Sequence, residues 1–530
     1  MNKKIILILN ENSSSILIFF LVFVSFLSFL IYYTSGKNLL YADAISRLDI
    51  ARKVIDNITP GLPQLGNVWL PLPQILMLPF IWNSFLWHSG IAGSIMSMSV
   101  FIIGGIFVYK SAKIISNSFI GSFMALSIYA LNINLLYLQT TAMSEGLFLS
   151  TLAATIYYFL LFFKTNNRYV LIPAALAVCA MTTTRYEGLA VLLSSIPMIF
   201  VYTFWKSRKW AKAEANTIMY TVLAGFGFAC WTLYLTAIFH DPLYWKNYYT
   251  TATVVTASGS KYYSQAKPFI SAVWEYLTST VWMIGLIPVI LVIPSVILMF
   301  IRDIKNKTLY FIPLLMPLSI FLFMVLTLQR NTPIVQPDLN LFNFLSPNTS
   351  NLTGFNIRYG ILLLPWVAII IAYLFAYKNK YIKMTTTVLF VLLISIQVYS
   401  YFHTKYSVIY IIPANMSAKS EGGLVGYMKK NYDGGKILIS AAGHEDQMFL
   451  MGFDYSTYIH EGNYKYWHES LDNPPRYATW VIFDKGQERD AIAAKPNIDI
   501  ILERDYTRVF YEGQVQIYKI NHPTYFQIKN

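Results

Sequence analysis

The sequence has few charged residues and almost no cysteine. Charged residues make up 12% of the 530 residues, and the two cysteines, Cys179 and Cys230, each lie inside an apolar run. A disulfide framework or a thiolate metal site is therefore not expected. The GxGxxG and GxxxxGK[ST] fingerprints are also absent, so the sequence offers no case for a nucleotide-binding fold.

Apolar residues dominate instead. Hydrophobic residues make up 56% of the chain and the mean hydropathy is +0.48, which is typical of a polytopic membrane protein. The net charge of +14 could indicate nucleic-acid binding, but most lysines and arginines fall in short runs between apolar segments. We therefore expect contact with membrane lipids and no nucleic-acid partner.

About eleven apolar runs have the length of roughly 17 to 25 residues that a membrane-spanning helix needs. They lie near 13–34, 91–109, 117–137, 146–163, 169–184, 187–205, 217–239, 277–301, 308–328, 358–377 and 382–401. The start, MNKK before an apolar run, is similar to a signal peptide but has no convincing cleavage site, which favours an uncleaved first span.

The segment from Leu70 to Trp87 is apolar, but we do not count it as a span. It contains three prolines and three tryptophans if Trp69 is included. Prolines remove backbone donors and tryptophans prefer the headgroup level, so an interfacial or re-entrant helix is predicted.

Omitting that segment gives a topology in which every inner loop is basic, as the positive-inside rule requires. These loops carry Lys110 and Lys113, Lys164 and Arg168, KSRKWAK at 206–212, RDIKNK at 302–307, and KNKYIK at 378–383. The prediction is an integral protein of the cell membrane with a cytoplasmic N-terminus and an extracytoplasmic C-terminus.

The predicted fold class is thus a polytopic α-helical membrane domain, residues 1–403, followed by a small extracytoplasmic α/β domain, residues 404–530. Stretches such as KILISA, TWVIFD and QVQIYKI are strand-like and alternate with helix-like ones. Its position after the last span favours a role as a lid over a site on the outer face of the membrane domain, or as the selector of a molecule that enters that site.

The first outer loop, residues 36–90, opens with YADAISRLDIARKVIDN. This segment predicts an amphipathic helix that lies at the interface, with its cations available to anionic headgroups. Asp43 stands at its start, where it could either cap the helix or act in catalysis.

Two further outer positions carry charges beside apolar runs. Glu145 could again be a helix cap. Arg185 and Glu187 lie in a turn of two or three residues between spans, where a charge deep in the bilayer costs about 2.5–3.5 kcal/mol. A mutual salt bridge or snorkelling is the structural alternative to a functional site.

Several cations lie on the predicted outer face, against the prevailing charge bias: Arg330, Arg358, Lys246, Lys261 and Lys267. Guanidinium groups match phosphate oxygens, so an anionic substrate group is one interpretation and ordinary interface anchors are the other. In the tail, His444, Glu445, His460 and Glu461 match no strong metal-ligand spacing and are interpreted as solvated loop residues.

In order along residues 20–370, the chain has the Asp43 stretch, GLPQLGNVWLPLPQ, MSEG at 143–146, TRYEG at 184–188 and IRYG at 357–360. In this order and topology the chain resembles the GT-C superfamily of polyprenyl-phosphate-sugar glycosyltransferases. The protein O-mannosyltransferases and the lipid A aminoarabinose transferases are the most similar families. Ala44 stands where many relatives have a glutamate, which disfavours the O-mannosyltransferases themselves.

The resemblance implies that Asp43 is the catalytic base and that Arg185 and Arg358 line the site of the lipid phosphate and sugar. Glu187, Tyr359 and the outer cations Arg330, Lys261 and Lys267 complete the expected donor-binding set. In some members the acidic position matched by Glu145 helps to bind a divalent metal, so a magnesium or manganese ion at Asp43 and Glu145 is an expectation.

The expected reaction is the inverting transfer of one sugar from a polyprenyl-phosphate donor to a hydroxyl of a glycan, lipid or protein. An anionic phosphate leaving group needs cations rather than a general acid, and a hydroxyl acceptor needs a base. The alternatives are a lipid or sugar transporter or flippase, for which paired broken helices and a repeat between halves would be expected, and a non-catalytic scaffold.

Overall fold

The fold is taken from a computed structural model that describes residues 13–246, 268–306, 308–330, 357–376, 380–403, 423–486 and 490–522. The predicted binding residues Lys261 and Lys267 lie outside these residues, as does the predicted domain boundary between 403 and 404.

The first half of the described chain is a bundle of helices. Its helices are α1 (Ser13–Thr34), α2 (Ala42–Lys53), α3 (Leu72–Ile81), α4 (Ser84–His88), α5 (Ile91–Ser116), α6 (Phe119–Ala130), α7 (Ile133–Leu138), α8 (Glu145–Thr165), α9 (Leu171–Thr182), α10 (Gly188–Ser207) and α11 (Trp210–Phe239).

The bundle continues with α12 (Phe269–Ile284), α13 (Leu286–Asn306), α14 (Phe311–Leu315), α15 (Leu318–Gln329), α16 (Leu364–Ile371) and α17 (Lys380–His403). The 3₁₀ segments Ile357–Leu363 and Ala372–Ala376 flank α16, and this whole stretch is almost completely buried.

Eight stretches of the described residues are long and apolar enough to cross a membrane, which makes the chain an integral membrane protein. They coincide with eight of the predicted spans. The other three predicted spans fall on α6 with α7, on α9, and on α17, whose apolar segments are shorter. The predicted polytopic helical fold is confirmed, whereas the count of eleven stays a prediction.

The segment from Leu70 to Trp87 forms two short helices, α3 and α4, rather than one span. Pro71 precedes α3 and Pro79 lies inside it, while the Asn83 side chain caps α4 by accepting hydrogen bonds from two backbone N–H groups. Ten residues of α-helix are only about 15 Å long, half the thickness of the hydrocarbon layer. Trp82 and Phe85 remain exposed, as suits an interfacial segment.

The C-terminal residues form the predicted α/β domain. Its strands are β1 (Ile437–Ile439), β2 (Tyr458–Ile459), β3 (Trp480–Asp484), β4 (Tyr506–Glu512) and β5 (Val515–Ile520), in the order β2-β1-β3-β5-β4. β1 is parallel to β2 and β3, and the β3–β5–β4 part is antiparallel. The helices are α18 (Gly423–Asn431), α19 (Ala441–Met451), α20 (Trp467–Asp472), α21 (Pro474–Tyr477) and α22 (Ile498–Asp505).

The predicted amphipathic helix is α2, but its cations do not face headgroups. Arg47, Arg52 and Lys53 are each at most 8% exposed, because the helix lies between the bundle and the C-terminal domain. Arg52 donates to the carbonyl oxygens of Ile81 and Trp82 at the end of α3. The predicted interfacial role of these cations is therefore wrong.

Close backbone packing fixes the start of the IRYG segment against α12. A Cβ atom added at Gly360 would lie 2.2 Å from the carbonyl oxygen of Ser279. Because this oxygen belongs to the backbone, it cannot move away by a rotamer change as a side-chain atom could. Glycine at this position therefore allows residues 357–363 to lie directly on α12.

We predict that Gly360→Ala destabilises the protein by about 1–3 kcal/mol, the usual cost of overpacking a filled core. The matched control is Gly225→Ala in α11, where an added Cβ meets nothing within 4 Å. Thermal unfolding in detergent measures both variants. Equal unfolding midpoints for the two would contradict the packing described here.

Candidate active site

Five of the predicted charged residues converge at one end of the helix bundle. Asp43 lies in the first turn of α2, Glu145 is the first residue of α8, and Arg185 and Glu187 lie in the turn between α9 and α10. Arg358 follows Ile357 at the start of the buried stretch. Although these five residues are far apart in sequence, they form a single cluster of ion pairs.

Glu145 is the centre of this cluster. It is completely buried, and its Oε1 accepts hydrogen bonds from Arg185 Nη1 at 3.0 Å and from Arg358 Nε at 2.9 Å. A buried carboxylate is costly unless it is paired, and two guanidinium groups provide that pairing. Its Oε2 has no hydrogen-bond partner in the described structure.

Arg358 connects Glu145 to Asp43. Its Nη2 donates to Asp43 Oδ2 at 2.5 Å, and its guanidinium lies 5.1 Å from the centre of the Tyr41 ring and 5.2 Å from that of Tyr359. The Asp43 side chain is 24% exposed, whereas that of Arg358 is 5% exposed. Asp43 is therefore the most accessible of the three carboxylates in the cluster.

Arg185 lies on the other side of Glu145. Its Nη2 donates to Glu187 Oε1 at 2.7 Å, and its guanidinium lies 4.4 Å from the centre of the Tyr359 ring. The salt bridge that was the structural alternative for Arg185 and Glu187 is thus present. The additional pairing with Glu145 makes it part of a network of five charged groups.

Asp43 and Glu145 both lie in the first turn of a helix, as the helix-cap interpretation requires, but neither forms a capping hydrogen bond. The N-cap residues are Tyr41 for α2 and Ser144 for α8, and neither helix has a side-chain cap hydrogen bond. Asp43 and Glu145 bond to arginines instead. Both carboxylates still benefit from the positive end of the helix dipole.

Arg47 is a site residue that the motifs did not indicate. It lies one helical turn after Asp43, and its guanidinium is 4.7 Å from the centre of the Trp69 ring. Its Nε and Nη1 are buried without a hydrogen-bond partner in the described structure. Burial lowers the pKa of Arg47, although the charges of Glu145 and Asp43 oppose that shift. The i, i+4 spacing from Asp43 is the signal that could have identified it.

The charges of the cluster balance, and among the described residues Arg47 is its one cation without an ion pair. Arg185 Nε is also buried without a hydrogen-bond partner, but the rest of that guanidinium is paired. Three arginines, at 47, 185 and 358, face three carboxylates, at 43, 145 and 187. Arg185 and Arg358 are each bonded to two carboxylates, whereas Arg47 is bonded to none of the described ones. An incoming anion would therefore gain most from Arg47.

Arg330 is not brought into the cluster. It follows the last residue of α15, and its side chain is exposed. No ion pair joins it to another part of the chain that the structure describes. The interface-anchor interpretation suits Arg330 better than a binding role, while it does not suit Arg358, which is buried.

The donor set does not fit a resident metal ion. No group of three or more metal-binding side chains occurs among the described residues. Asp43 uses one oxygen for Arg358, Glu145 uses one oxygen for both Arg185 and Arg358, and these guanidinium groups already neutralise the two carboxylates. The expectation of a magnesium or manganese ion at Asp43 and Glu145 stays a prediction.

The histidines of the tail are not solvated loop residues, so that interpretation is wrong. His444 and His460 are 1% and 2% exposed, and His444 Nε2 lies 3.1 Å from Asp490 Oδ2. Burial lowers the pKa of His460 well below its ordinary value. Glu461 accepts a hydrogen bond from the Ser440 hydroxyl across the ends of β1 and β2.

We predict that Glu145→Gln lowers stability by about 3–5 kcal/mol, because it removes the charge that two buried guanidinium groups share. The matched control is Glu214→Gln, an exposed glutamate near the start of α11, which should change stability by no more than about 0.5 kcal/mol. Thermal unfolding of both variants in detergent checks this. A Glu145→Gln midpoint equal to that of the control would refute the central role of Glu145.

A search of protein-family models found no match, and no curated protein matches the chain. Fifteen chains of solved structures do match. Among them is the crystal structure of ArnT from Cupriavidus metallidurans bound to undecaprenyl phosphate, with 12% identity and a TM-score of 0.47 over 94% of this chain and 97% of that one.

Proposed function

We propose that the protein is a membrane glycosyltransferase that moves one sugar from a polyprenyl-phosphate donor to a hydroxyl acceptor on the extracytoplasmic face. The observation that carries this proposal is the partly open Asp43 carboxylate beside buried guanidinium groups at one end of an apolar bundle. The order of the GT-C-like motifs supports the same reaction class.

The arginines suit the phosphate of such a donor. A sugar phosphate leaves as an anion, so it needs positive charge and hydrogen-bond donors rather than a proton. Arg47 has two unsatisfied donor nitrogens in a buried setting, where a charge-assisted hydrogen bond is strong. Arg185 and Arg358 add positive charge nearby but are held by their own carboxylates.

Asp43 suits the role of general base. Its Oδ2 is fixed by Arg358, and its other oxygen accepts no hydrogen bond from any described residue. In the proposed step the acceptor oxygen attacks the anomeric carbon while its proton passes to Asp43. The bond from that carbon to the phosphate oxygen breaks, and the electron pair leaves with the phosphate. A single displacement of this kind inverts the anomeric configuration.

The position of the cluster suits a lipid-linked donor. The site lies where membrane helices end and where the interfacial segment α3–α4 begins. A long polyprenyl chain stays among apolar side chains and lipids, so its phosphate is presented at this level. The sugar, the acceptor and the membrane face are part of the proposal.

We predict that Asp43→Asn lowers kcat for sugar transfer by about 10²- to 10⁴-fold, the usual contribution of a positioned base. Binding of polyprenyl phosphate should change little, since Arg47 is retained. Transfer from a radiolabelled polyprenyl-phosphate sugar measures kcat, and Glu214→Gln is the control. Undiminished transfer would exclude Asp43 as the base. A flippase would instead move the labelled lipid across the bilayer without releasing polyprenyl phosphate.

We predict that Arg47→Gln weakens the binding of polyprenyl phosphate by about 10- to 100-fold, because one charge-assisted contact of about 1.5–3 kcal/mol is lost. The exposed Arg168, changed to Gln, is the matched control. Titration of polyprenyl phosphate into the detergent-solubilised protein gives the Kd. Equal affinities for the two variants would contradict a phosphate contact at Arg47.

A further inference from the structure

The helix that carries Asp43 and Arg47 has a second charged face. Ser46, Asp49 and Lys53 follow one another at spacings of three and four residues, so they share one side of α2. This side is covered by the C-terminal domain, and the contacts join residues about 400 positions apart.

Glu445 of α19 makes the central contact. Its Oε1 accepts a hydrogen bond from Lys53 Nζ at 3.0 Å, and its Oε2 accepts one from the Ser46 hydroxyl at 2.5 Å. Burial alone lowers the pKa of Lys53, but the charges of Glu445 and Asp49 raise it overall. One carboxylate thus binds two side chains of α2 that lie about two helical turns apart.

Further contacts surround this one and fix the orientation of the helix end. Arg52 Nη2 lies 3.3 Å from Asp454 Oδ1. The Asp56 carboxylate accepts the backbone N–H groups of Tyr455 and Ser456 at 3.1 and 3.2 Å. The domain therefore holds both the side and the C-terminal end of α2.

A helix of this kind depends on such contacts. It has only 12 residues, a length that is marginal for an isolated helix in water. Only two residues, Leu40 and Tyr41, separate its start from the 3₁₀ turn Lys37–Leu39 that follows the first membrane helix. Its geometry at the site is therefore set by tertiary packing on both of its faces.

We propose that Glu445 is a positioning residue: through Lys53 and Ser46, the C-terminal domain holds α2 so that Asp43 and Arg47 face the reacting groups. This role rests on the proposed glycosyl transfer, but the contact itself can be measured without it. It is a role for the domain in addition to the predicted lid or acceptor selection.

The test combines kinetics with hydrogen exchange on the full-length protein, using Glu445→Ala, Lys53→Met and the double variant. Misplacing Asp43 should lower kcat by about 10- to 100-fold. Since Arg47 lies on the same helix, its misplacement should also raise the donor KM. Because the two side chains act as one contact, the double variant should be no slower than the slower single variant. Asp499→Asn, which breaks an exposed ion pair with Lys485 in the same domain, is the control and should leave both parameters unchanged.

Hydrogen exchange separates positioning from loss of the fold. In Glu445→Ala the amides of α2 should exchange faster than in wild type, while those of β1 and β3 stay protected. Unchanged exchange in α2 would overturn the proposal, and so would faster exchange with an unchanged kcat. If the wild-type protein transfers no sugar, the proposed function fails, and faster exchange in α2 still supports the contact.

Discussion

The shared hydrogen bonds of one carboxylate oxygen, Glu145 Oε1, hold the site together. Two guanidinium groups from distant parts of the chain bond to it, and each of these is bonded in turn to a second carboxylate. Charged side chains inside a membrane bundle are costly unless each one is paired with a charge of opposite sign. The turn between α9 and α10, the start of α8 and the IRYG segment are therefore fixed relative to one another.

Helix α2 lies against this fixed set of ion pairs and carries the two side chains that the proposed reaction uses. Its inner face presents Asp43 and Arg47, one of which is partly open and the other unsatisfied. Its other face is held by Glu445 of the C-terminal domain. The membrane bundle and the C-terminal domain thus meet on one short helix, and the geometry of the site depends on both.

Much of this arrangement could be predicted from the sequence, because spans of membrane length and basic inner loops place Asp43, Glu145, Arg185 and Arg358 at the same level. The strand-like stretches of the tail likewise predict its α/β domain. Arg47 was missed because an arginine in an amphipathic segment is equally typical of a membrane surface. The contact between Lys53 and Glu445 spans 392 residues, and no local pattern indicates which surfaces meet over such a distance.

The central claim is that a phosphate binds at Arg47 beside a base at Asp43. An electron cryomicroscopy structure with a bound polyprenyl phosphate tests it most directly. The account predicts a phosphate oxygen within hydrogen-bonding distance of Arg47 Nε or Nη1, with the ion pairs of Glu145 unchanged. A phosphate bound elsewhere, with the two nitrogens of Arg47 still without a partner, would contradict it.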